Sequence, residues 1–121
     1  MSKAERYRQI IEQTRVRFLQ DAAIKMHDMH QSLQDYNGLE APDADAGQAL
    51  AHQIHRHVHA IKGLALTLSY SGIDELCGDM VNYILNDSSR IWKREHVDRL
   101  QQQVDQLGQL IDEATASANK T

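Results

Sequence analysis

Leu50-Ala51-His52-Gln53-Ile54-His55-Arg56-His57-Val58-His59-Ala60-Ile61-Lys62-Gly63-Leu64-Ala65-Leu66-Thr67-Leu68 decides the fold class. Its apolar residues Leu50, Ile54, Val58, Ile61, Ala65 and Leu68 recur at spacings of 4, 4, 3, 4 and 3. That is the period of a helix with one narrow buried stripe. The run predicts a helix from about Ala46 to Tyr70, broken by Ser71-Gly72.

The same period extends outward on both sides. Ser2 followed by Glu5 matches a capping box and predicts a helix start. That helix continues to about Tyr36 through Phe18, Ala22, Met29, Leu33 and Tyr36, with a break expected near Thr14 to Val16. Asn37-Gly38, able to adopt the left-handed conformation, is expected to end it. Leu39 to Gly47 holds Pro42, Glu40, Asp43 and Asp45 and reads as a loop. Beyond Ser71, a third helix is expected over about Gly72 to Leu85, carrying Ile73, Leu76, Cys77, Met80, Tyr83 and Ile84. Asn86-Asp87-Ser88-Ser89 reads as a turn. A last helix is expected from about Lys93 to Ala116, with Val97, Leu100, Val104, Leu107 and Leu110 or Ile111 on one face. The polar tail Ser117 to Thr121 is expected to fray. Strand-like runs bounded by turn residues are absent. The chain is therefore expected to be all-α, an antiparallel up-down four-helix bundle. The N-terminal segment is allowed for as an extra short helix over one end. One domain spans 1–121, with its core at about 10–113.

Charge and composition narrow the function. The formal net charge is −4, which argues against nucleic-acid binding, since phosphate contacts need a basic face. No apolar run approaches the roughly 20 residues that span a bilayer, so no membrane partner is expected. The N-terminus lacks the apolar stretch of a secretory signal. A lone cysteine, Cys77, cannot form an internal disulfide, which fits a reducing cytoplasm. The initiating Met1 and polar tail favour a whole small protein.

On a wheel of about 100° per residue, His59 points nearly opposite the middle of the Leu50–Leu68 stripe. Lys62 lies about 60° to one side and Gly63 about 40° to the other, one turn on. A solvated imidazole is a good nucleophile near neutral pH, because imidazole ordinarily titrates near 6.5. Attack on phosphorus needs a free ring nitrogen and open approach. The product carries charge on three oxygens, which Lys62 can stabilise as a mobile cation. Gly63 leaves no side chain to block a docking partner, although a mid-helix glycine costs about 1 kcal/mol relative to alanine. Leu66, at i+7 from His59, places an apolar side chain on the same line, suited to seating a partner.

His59-Ala60-Ile61-Lys62-Gly63, followed by Leu68, Ile73, Leu76 and Met80, resembles the histidine-containing phosphotransfer (HPt) domain family. Phe18, Leu19, Met29 and Leu33 resemble the helix that precedes the motif in that family. The resemblance covers about residues 10 to 113. It implies a phosphorelay protein of two-component signal transduction, whose histidine accepts a phosphoryl group from a receiver-domain aspartate and passes it to another receiver. Carried over, His59 is the phosphoacceptor that becomes phosphohistidine, Lys62 the electrostatic helper and Gly63 the close-approach position. His55 and Leu66 would contact the partner. Those partners would be receiver domains of response regulators or hybrid histidine kinases. The family has no kinase activity, binds no ATP and needs no cofactor or metal of its own, the magnesium being the receiver's. Leu64 stands where the family commonly has a small residue, and Ser69 where it often has glycine. Val81 occupies the position, 22 after the histidine, where a glutamine often bonds the imidazole. Asn82 lies one residue on.

Two other classes of function fit parts of the pattern. One is a helical module that binds a receiver or kinase without transferring phosphate, a reading that Val81 and Leu64 support. The other is a metal-binding bundle, because His52, His55 and His59 share a face at i, i+3 and i+7. That face looks outward, whereas bundle metal sites face inward. His57 is expected at the boundary of the apolar side, and His27 and His30 on the solvated surface. Cys77 is expected as a buried thiol, and Trp92 where the third and fourth helices meet.

Overall fold

A computed structural model describes residues 2–86 and 91–119. The described residues form four helices: α1 Lys3–Asn37, α2 Ala44–Ala65, α3 Ser71–Leu85 and α4 Arg94–Ala118. They contain no strand. Each helix packs on the next in chain order, and α4 returns against α1. Side chains at the helix ends fix the directions. Asn37, at the end of α1, donates to Gln101 and accepts from Arg94, both near the start of α4. Lys62, near the end of α2, meets Asp74 in the first turn of α3. The arrangement is the antiparallel up-down bundle that the apolar period predicts.

The core is continuous across all four helices. Met29 and Leu33 of α1, Ile54 and Val58 of α2, Cys77 and Met80 of α3, and Leu100, Val104 and Leu107 of α4 are at most 1 % exposed. Complete burial of each large aliphatic side chain contributes roughly 1.5–3 kcal/mol. No polar or charged residue is buried among the described residues, so the core itself is built from the apolar stripes.

Four local expectations need correction. First, α1 runs without the break expected at Thr14 to Val16: the Thr14 hydroxyl donates to the Ile10 carbonyl at 2.7 Å and the helix continues through it. The N-terminal segment is thus part of α1 and not a separate helix. Its first turns stand clear of the core, with Tyr7 68 % and Ile10 52 % exposed. Ser2 caps it by accepting the Glu5 N–H at 3.1 Å. Second, Gly38 ends α1 with φ −80°, a right-handed conformation, its N–H donating to the Gln34 carbonyl. Third, the loop ends earlier than expected. Asp43 caps α2 by accepting the Ala46 N–H at 2.8 Å, so Gly47 lies inside the helix. There it faces Trp92: a Cβ at position 47 would stand 2.7 Å from the Trp92 Cβ and carbonyl oxygen.

Fourth, α2 ends at Ala65, and the chain turns at Ser69 instead of Ser71-Gly72. Ser69 has φ +70°. Its N–H donates to the Leu66 carbonyl at 3.0 Å and the Tyr70 N–H to the Ala65 carbonyl at 2.8 Å. This pair of bonds is a Schellman cap with serine at the position that glycine usually occupies. Tyr70 then stacks on Phe18 of α1, ring centroids 5.5 Å apart. Of the expected turn 86–89, Asn86 closes α3 by donating to the Asn82 carbonyl, and 87–89 lie outside the described residues. The tail is helical through Ala118, and 120–121 lie outside them too. Trp92 is buried, edge-on to Tyr83 of α3 and to His96 of α4, and also packs on α2 through Gly47.

Candidate functional site

The site lies on the outer side of α2 where it borders α3. Val58, Ile61 and Ala65 anchor this stretch of α2 in the core, which leaves His59 and Gly63 facing water. Nothing lies within 4 Å of where a Gly63 Cβ would stand. The glycine is therefore not a helix-packing position, and its backbone is open to a docking molecule.

Lys62 sits differently from the mobile cation expected. It leans over the seam, and its Nζ donates to Asp74 Oδ1 at 3.0 Å. Its stem crosses Gly78 of α3, the Lys62 Cε lying 3.5 Å from where a Gly78 Cβ would stand. The ammonium is held at the edge of the His59 face, one turn along α2, by a partner that sequence reasoning missed. Asp74 falls in the first turn of α3, and only the hairpin geometry of α2 and α3 brings it to Lys62. Since both groups are partly exposed, the pair adds little stability. It fixes where the charge stands.

His55 is half-buried, one turn before His59. The two imidazoles stack with centroids 5.9 Å apart and planes 12° apart. Burial pushes the His55 ring below the usual imidazole range, and the neighbouring His59 and His52 push it the same way. Among the described residues no hydrogen bond reaches the His59 ring. Val81 packs on the core as a partly buried side chain, and an aliphatic group cannot bond an imidazole. Asn82 faces away, in a groove between α3 and α4 lined by Asp79, Tyr83, Arg99 and Gln103. Leu66 is 62 % and Leu64 48 % exposed. Leu66 is on the His59 side, whereas Leu64 borders α1 beside Phe18, Asp21 and Lys25.

The remaining histidines are where the period places them. His57 is half-buried against α1, its ring held below the usual range by burial, an effect that Asp28 opposes. His27 is exposed, and His30 lies 3.9 Å from Asp105. Cys77 is buried, and burial, with Asp74 nearby, pushes its thiol up to about 12. Among the described residues no group of three or more His, Cys, Asp or Glu could hold a metal ion, and none of their helices is long and apolar enough to cross a membrane.

This arrangement offers an exposed imidazole, a cation held one turn away and a bare strip of backbone on an open helix face. It suits chemistry in which the second reactant arrives on another macromolecule. The family model described as Hpt domain matches residues 13–110. No curated protein and no solved structure matches the chain.

Proposed function

The chain belongs to the Hpt domain family, and from that premise we propose that His59 accepts a phosphoryl group from a receiver-domain aspartate and passes it to another receiver. The observation that carries this reading is the exposed His59 beside an open Gly63 with Lys62 at its edge. The lone pair of the unprotonated ring nitrogen attacks phosphorus. An N–P bond forms as the bond to the aspartate oxygen breaks, and its electron pair stays on the carboxylate. The other ring nitrogen carries the proton. Return transfer runs the same step in reverse on a second receiver.

Lys62 faces the charge that spreads over the equatorial oxygens in transfer, where a fixed cation contributes most. Asp74 holds it in place until the phosphoryl group arrives to share it. Gly63 lets the receiver bring its aspartate to the ring, and Leu66 and His55 border the contact. A single domain working in a reducing cytoplasm accompanies this reading.

The test is incubation with a receiver phosphorylated on its aspartate. Wild-type protein gains acid-labile phosphate, and His59→Gln gains none while its melting temperature is unchanged. Label on His59→Gln, or loss of label in His52→Gln, overturns the assignment. A receiver that binds wild-type protein yet never labels it favours the non-transferring module, the reading that Val81 supports by leaving the ring without a hydrogen bond.

A further inference from the structure

Among the described residues no side chain hydrogen-bonds the His59 ring to aim it, yet a phosphoryl acceptor must present one nitrogen in line with the leaving oxygen. An imidazole that rotates freely on an open helix face spends most of its time misaligned. Among the described residues the side chain ring-stacked on it is His55, one helical turn back, with planes 12° apart. Residues four apart on a helix are neighbours, and ring pairs with centroids 4.5–7 Å apart attract in offset-stacked geometry. His55 is itself half-buried. Lys62, on α2 one turn beyond His59, is paired with Asp74 of α3. On α2 the titratable neighbours of His55 are His59 and His52.

We propose that His55 is a positioning residue for His59, its ring forming a flat wall that limits how the acceptor imidazole turns and leaves the outer ring nitrogen aimed at the docking partner. In this chain an aromatic face on the acceptor's own helix does what a hydrogen bond from α3 would otherwise do. This inference rests on the phosphoacceptor reading of His59, but the stacking itself can be tested without any transfer.

Three variants and two readouts decide it. In unphosphorylated protein, relaxation of the His59 ring resonances is expected to report a more mobile ring in His55→Ala than in wild type, and a ring as ordered as wild type in His55→Phe, which keeps the flat face without a titrating nitrogen. In single-turnover transfer from a phosphorylated receiver, His55→Ala is expected to lose about tenfold in rate at saturating receiver, the size of one stacking contact. Its half-saturating receiver concentration should change far less than the rate, His55 only bordering the contact, and His59 should still become fully labelled at long times. His55→Phe should recover most of the rate, and His52→Ala, which shares the face without stacking on His59, should behave as wild type. Unchanged His59 ring mobility in His55→Ala overturns the proposal. So does a defect confined to the half-saturating concentration, which would make His55 a docking contact only, or a His55→Phe variant as slow as His55→Ala. If wild-type protein takes no phosphate while ring mobility responds as expected, the phosphoacceptor reading fails and the stacking role stands.

Discussion

Ser69 holds a backbone conformation that costs an L-residue roughly 1–2 kcal/mol, with φ +70°. The cost is tolerated because the turn closes two capping bonds and delivers Tyr70 onto Phe18. Glycine adopts the same φ without steric penalty but is more flexible when unfolded. The balance predicts that Ser69→Gly stabilises the bundle by about 1 kcal/mol, or roughly 4 °C for a chain of this size. Transfer through His59 should not change, since Ser69 lies ten residues away and past the helix end. A thermal melt beside a transfer assay checks both. A drop in melting temperature would mean that the serine side chain contributes something its contacts do not reveal. At this scale the sequence is legible only in part. The turn at Ser69 is hidden along the chain, because the apolar period runs on through Leu68 and serine does not mark a left-handed position as glycine would. Gly38 misleads in the opposite direction: a glycine stands where the backbone proves right-handed, because α1 ends in a simple tightened turn.

The hairpin of α2 and α3 is the element that makes the site. The stripe residues Leu50, Ile54, Val58, Ile61 and Ala65 are readable from their spacing, as is the outward position of His59 and Gly63, because a helical wheel follows from the geometry of one helix; Ala51, also buried, lies beside that stripe. The capture of Lys62 by Asp74 depends on how two helices face each other, which no single-helix period contains. Gly78 allows the lysine stem to cross closely over α3, and its role is equally invisible along the chain. The pairing makes a prediction about this element. Lys62→Ala should slow transfer on the order of 10- to 100-fold by removing a charge placed for the transition state, with a stability change under about 1 kcal/mol because the pair is partly exposed. Asp74→Asn should keep the melting temperature within the same margin and keep far more activity than Lys62→Ala, since the cation remains. Single-turnover rates at saturating receiver separate the two. Equal rates for Lys62→Ala and wild type would remove the lysine from the mechanism, and equal losses in both variants would make the ion pair, and not the cation, the required feature.

Across the whole molecule, the core and the transfer face are separable, and two glycines of α2 report on each. The four stripes build one core without a buried polar residue among those described, so stability does not depend on the site. Gly47 belongs to that core. A Cβ there would press to 2.7 Å against the Trp92 backbone oxygen and Cβ, which neither a rotamer change nor a flexible tip can relieve. Gly63 belongs to the face, where a Cβ would meet nothing within 4 Å. The wheel puts Gly63 on the open side, whereas Pro42 and the acidic residues Glu40, Asp43 and Asp45 make Gly47 read as the end of a loop. Asp43 as a helix cap was the overlooked signal. The same class of substitution must therefore act with opposite sign at the two positions. Gly63→Gln should raise stability on the order of 0.5 kcal/mol through helix propensity while abolishing most transfer, because its side chain stands between the imidazole and the incoming aspartate. Gly47→Ala should lower stability by about 1–2 kcal/mol through overpacking while leaving the transfer rate of the folded fraction intact. Trp92 is the single tryptophan and is buried beside Gly47, so its fluorescence reports both melts in one measurement. If Gly63→Gln were destabilised, the open face would be closed in solution and the docking surface would have to be sought elsewhere. If Gly47→Ala instead lost transfer without losing stability, the separation of core from face would itself be wrong.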